Sequence, residues 1–112
     1  MWTFLPYFGD TDQLKTTEKS IVFKWIRDDC KILFSAVKHG KALNCHFTSD
    51  KAGLRKLEQA INEWCKFCFW LWPWCEMIIG IIEKPSICRL AEKCKFKKIA
   101  EYKGKSIYIR EK

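Results

Sequence analysis

The feature that most constrains this chain is a change of hydrophobic period near residue 50. Before it, residues 20–27, 31–37 and 41–48 read as strands, and Ile21, Phe23 and Trp25 fall on one face of the first. The breaks between them are short: Asp28 with Asp29, then His39 with Gly40. Strands joined so tightly pair as an antiparallel meander. After residue 50, Leu54, Leu57, Ile61, Trp64, Cys68 and Leu71 recur at steps of three and four, which is one face of a helix. Ser49 or Asp50 is placed to cap that helix near Lys51, and Pro73 ends it.

Residues 75–82 then form a continuous apolar run, the pattern of a strand covered on both faces. Lys84, Pro85 and Ser86 read as a helix start, with Ile87, Leu90, Ala91 and Cys94 sharing a face. Residues 97–102 and 106–110 form a closing hairpin that turns at residues 103–105. Residues 1–8 suit an edge strand or a packed arm. A polar connection follows them, with room for one helical turn. The expected order from residue 20 is β-β-β-α-β-α-β-β: one mixed α/β domain (α+β) over residues 1–112, with a sheet of about six strands and two main helices. A helical crossover makes the third and fourth of these strands parallel.

Composition narrows the partners. With 48% hydrophobic residues the chain can build a core. A net charge of +8 suits nucleic acid, an anionic membrane or a phosphorylated cofactor without choosing among them. Residues 67–82 are apolar but interrupted by Pro73 and Glu76 and too short for a bilayer, so no membrane span is expected. Lysines interleave with aromatics, but no nucleic-acid module signature is present, and nucleic acid is not an expected partner. The seven cysteines are odd in number and follow no signal-peptide pattern, which predicts reduced thiols in the cytoplasm. Cys65 and Cys68 have the spacing of half a zinc site, yet no second pair repeats it, so they are expected as core thiols and no metal is assigned. The aromatic run from Trp64 to Trp74 exceeds what a small core needs, and part of it is a candidate protein-contact surface.

Residues 84–99 carry a family resemblance. Arg89, Leu90, Ala91, Glu92, Lys93, Cys94 and Phe96 keep the frame of the last helix and following strand of the GNAT N-acetyltransferase superfamily, whose pattern there ends in Glu-Lys-Leu-Gly-Phe. The element order also resembles the second two-thirds of that fold, over roughly residues 20–110. The departures are specific. The family's phosphate loop, Arg/Gln-x-x-Gly-x-Gly/Ala, corresponds to residues 50–55, where Asp50 replaces the first residue, Gly53 survives and Arg55 replaces the last. Lys84 stands where Asn is usual, Lys95 where Gly is usual, and Ala91 where some members have Tyr. The family's first helices are missing or very short, a truncated N-terminal part.

The resemblance implies acyl transfer from acetyl-CoA to an amine. It places the cofactor phosphates on Lys51, Ala52, Gly53, Leu54, Arg55 and Lys56, because glycine lets backbone N–H groups approach an anion at a helix start. His46 and Glu76 are the candidate bases, at strands that splay apart in this fold, and Ser86 or Cys88 the candidate acid. Small diverged members of the superfamily occur in tailed phages as virion or assembly proteins and host-defence antagonists. This chain's size and shortened front look similar to them. The resemblance therefore also implies an alternative: a non-catalytic scaffold acting by protein binding, in a host cytoplasm or a virion.

Overall fold

The alternating segments upstream of residue 50 become three antiparallel strands: β2 (Ile21–Trp25), β3 (Ile32–His39) and β4 (Ala42–Ser49). The computed structural model describes residues 3–11 and 13–112. Gly40 adopts φ +65° in the tight β3–β4 turn, a backbone state that glycine enters without Cβ strain. β1 (Phe4–Pro6) adds antiparallel to β2 at the sheet edge, with Phe4 opposite Trp25. It is the seventh strand, where about six were expected.

A 3-10 turn (Leu54–Lys56) leads into α1 (Leu57–Leu71), followed by β5 (Met77–Ile82), α2 (Pro85–Lys93), β6 (Lys97–Tyr102) and β7 (Lys105–Glu111). The sheet order is β1-β2-β3-β4-β5-β7-β6, and the β4–β5 pair is parallel. Lys103 and Gly104, both at positive φ, make the two-residue β6–β7 turn.

Both helices cover one face. Tyr108 and Arg110, two apart on β7, point to the same side. The Tyr108 hydroxyl donates to Glu92 of α2 at 2.7 Å, and Arg110 donates to Asn62 of α1 at 2.9 Å and to the Cys94 carbonyl at 3.0 Å. Trp25, Phe34, Trp64, Cys65, Cys68, Cys75 and Ile78 are buried between helices and sheet. Trp64 stacks on Phe34 with centroids 4.8 Å apart. Of the aromatic run, Trp64 and Phe67 are buried in this core, Phe69, Trp72 and Trp74 pack against it partly buried, and Trp70 stands out at 58% exposure. On the opposite face, Ser35 is buried and donates to the Lys15 carbonyl at 2.9 Å, so the connection before β2 lies over β3.

Three sequence expectations are corrected. The α-helix begins at Leu57 rather than near Lys51, and neither Ser49 nor Asp50 caps it. Asp50 instead accepts the Gly53 N–H at 2.8 Å, holding a turn ahead of the helix. Leu54 consequently leaves the apolar face and is exposed. β5 is not covered on both faces: within it only Ile78 is fully buried, because its far half borders an open cleft. Among the described residues, no helix is long and apolar enough to cross a membrane.

Candidate functional site

The cleft arises from how β4 and β5 part. They pair only at Ala42↔Met77, Leu43↔Ile78 and Asn44↔Ile79. Beyond that point β4 continues to Ser49 paired with β3, and β5 continues to Ile82 paired with β7. Their facing edges no longer bond to one another. Each exposed edge presents backbone N–H and C=O groups that need partners. The gap between them is a cleft of about 290 Å³.

Its helix side is apolar: Phe47 of β4, Ile61 and Trp64 of α1, Ile87 and Ala91 of α2, and Gly80 of β5. Gly80 keeps this side open, since a Cβ there would meet only Ile82 side-chain carbons, at 3.8 and 3.9 Å. Polar residues complete the lining: Gln13, Lys15 and His46 from the connection before β2 and from β4, and Glu83 and Lys84 where β5 leads into α2. An extended ligand with amide groups fits both walls, bonding to the strand edges and packing its carbons against the helices.

His46 is the expected base that lies in the cleft. It is half-buried, and it sits across from Ser35, on the face covered by the connection carrying Lys15. Burial pushes its pKa below 6.5, and the Lys15 ammonium pushes in the same direction, so the imidazole is neutral near pH 7. A neutral imidazole can accept a proton.

The other expected residues are placed differently. Glu76 stands at the closed end, where its N–H donates to the Lys41 carbonyl at 2.8 Å and its carboxylate pairs with Lys41 Nζ at 3.7 Å. Ser86 is exposed in the first turn of α2 and does not cap it, while Lys84 and Ile87 on either side line the cleft. Cys88 lies half-buried against Tyr108 and also outside the cleft.

The segment from Lys51 to Lys56 follows the splayed end of β4. Its donors are partly committed. The Gly53 N–H goes to Asp50 Oδ1 at 2.8 Å, and the Lys56 N–H to the Gly53 carbonyl at 2.9 Å. Asp50 Oδ2 accepts the Lys31 N–H at 3.0 Å, which pins the loop to β3. Lys56 pairs with Asp28 at 3.7 Å, whereas Lys51 and Arg55 have no ion pair among the described residues. Gly53 is tightly packed: a Cβ there would strike Ser49 Oγ and lie 2.7 Å from Ile32 Cγ1.

Cys65 and Cys68 are fully buried on α1. Burial pushes the Cys65 thiol up to about 12 and raises Cys68 as well, so both are protonated core thiols. No group of three or more potential metal ligands occurs among the described residues.

A seven-stranded mixed sheet that parts between two parallel central strands, with two helices on one face, is the architecture of the GNAT N-acetyltransferase fold. Solved N-acetyltransferase structures superpose on the chain accordingly. Campylobacter jejuni N-acetyltransferase PseH in complex with acetyl coenzyme A matches 85% of this chain and 70% of its own, at 17% identity and TM-score 0.69. Spermidine N-acetyltransferase from Vibrio cholerae matches 84% of this chain and 66% of its own, at 12% identity and TM-score 0.68. A Bacillus subtilis acetyltransferase in complex with CoA matches 84% and 78%, at 12% identity and TM-score 0.68. No protein-family model matches the sequence, and no curated protein does. At these identities the likeness is one of fold.

Gln13, Lys15, Gly80 and Ile87 line the cleft but carried no sequence signal for it. The indirect signal was the run Met77–Ile82, apolar on both faces because one half of the strand borders a cleft.

Proposed function

We propose that the chain is an N-acyltransferase that takes an acetyl group from acetyl-CoA to an amine. The observation that carries this reading is the split between β4 and β5. A pantetheine arm carries two amides on a thin aliphatic chain. It matches a cleft with unpaired strand edges on its walls and apolar side chains behind them. Lys51 and Arg55 at the splayed end of β4 supply charge for the cofactor phosphates.

His46 takes the proton from an incoming ammonium, leaving a free amine at the rim. The amine nitrogen attacks the thioester carbon. A C–N bond forms, the C–S bond breaks, and the thiolate leaves with the proton shed by nitrogen. Glu76 and Ser86 have no part in this scheme, since neither lines the cleft.

Titration with acetyl-CoA by calorimetry tests the reading. Binding in the micromolar to low millimolar range supports it, and no heat and no thermal shift at millimolar ligand overturn it. A second reading, a binding scaffold of the same fold, is favoured by the Asp50–Gly53 contact, which already occupies one donor of the phosphate loop. That reading requires wild-type protein that ignores acetyl-CoA yet retains a protein partner, to which exposed Trp70 contributes contact area.

A further inference from the structure

The polar rim of the cleft is cationic, with Lys15 on the connection before β2 and Lys84 at the N-cap of α2. Lys15 and Lys84 both line it, and neither ammonium has a carboxylate partner among the described residues. Among the described residues, the one acidic side chain of the rim is Glu83, which pairs with Lys105 at 3.6 Å. His46 lines the same cleft, on the face where the Lys15 segment is anchored through Ser35. The Lys15 field reaches His46, and the lowered imidazole pKa reflects it. The same field depresses the pKa of any amine held beside His46, which favours the nucleophilic form.

We propose that the acceptor of this cleft is a small amine bearing an anionic group, with Lys15 and Lys84 holding the anion while the amine faces His46. The identity of the reacting group as an amine rests on the acyl-transfer reading. A polyamine would bring further ammonium groups against two unpaired lysines, and like charges at a partly desolvated rim disfavour it. A phosphate is the better match for lysine, which binds it as a point charge.

Three probes that differ only in the group distal to the amine test this: O-phosphoethanolamine, ethanolamine and putrescine. Each is titrated into protein with and without CoA, while the His46 imidazole resonances are followed by NMR. O-Phosphoethanolamine should shift them with a Kd about tenfold or more below those of the other two, and added salt should weaken it. Lys15→Gln with Lys84→Gln should remove that preference and leave the fold intact by circular dichroism. Equal or tighter binding of putrescine overturns the proposal. So does an O-phosphoethanolamine titration that leaves His46 unmoved, or an unchanged preference in the double variant. The CoA-free arm separates the two ideas. Anion preference at His46 without CoA binding would remove the transferase reading, whereas CoA binding without anion preference would remove only this one.

Discussion

Gly53 illustrates how one residue can satisfy two different demands. Its N–H is held by Asp50, and its α-carbon lies so close to β3 and β4 that a Cβ would strike Ser49 Oγ and crowd Ile32. Gly53→Ala should therefore destabilise the protein by about 1–3 kcal/mol through overpacking, read as a lower urea midpoint at unchanged slope. Helix propensity alone would give the opposite sign. His46 carries the second residue-scale prediction. The unfolded chain takes up a proton on this side chain near pH 6.5, and the folded chain only at lower pH. Between those two values the unfolded state binds more protons, so His46 makes stability decrease as pH falls through that window. Lys15→Gln removes one of the two causes and should raise the folded pKa of His46, as an NMR titration of the imidazole would record. An unchanged titration curve would mean that burial alone sets it.

At the scale of elements, α2 ends in a way that explains one departure from the family pattern. Lys95, which stands where the family usually has glycine, adopts φ +69°. Its N–H donates to the Glu92 carbonyl at 3.2 Å and the Phe96 N–H to the Ala91 carbonyl at 3.0 Å, the paired bonds of a Schellman motif. The family geometry is thus kept by a residue with a Cβ. Lys95→Gly should relieve that strain and stabilise the domain by up to about 1 kcal/mol, after the entropy that glycine adds to the unfolded chain. Thermal unfolding would check it, and a lower Tm would show that the lysine stem contributes packing that outweighs the strain. Most elements were legible because each depends on a local period: the alternation of residues 21–25, the helical face from Leu57 to Leu71, and Pro85 opening α2. The start of α1 was not, because Asp50 serves a turn as readily as a cap, and only the packing of Gly53 against β3 decides between them.

At the scale of the whole molecule, the cleft belongs to no single segment. Its walls come from the connection before β2 and from β4, α1, β5 and α2, so no local pattern could announce which side chains meet there. His46 was legible as a titratable residue on a strand, whereas the Lys15 beside it belongs to a polar connection with no period at all. Glu76 looked equivalent to His46 in sequence, yet strand direction separates them: β4 carries His46 toward the split, while Glu76 precedes β5 at the end where the two strands are still bonded. The open volume itself depends on Gly80, the only position in β5 without a side chain. Because a Cβ there meets nothing closer than 3.8 Å, Gly80→Leu should extend into the cleft without disturbing the strand. Replacing a strand glycine also favours the extended backbone, so Tm should hold or rise. Acetyl-CoA binding by calorimetry should fall at least tenfold, since the leucine would occupy space that the pantetheine arm requires. A variant that folds as well as wild type and binds acetyl-CoA equally would place the cofactor outside the β4–β5 split.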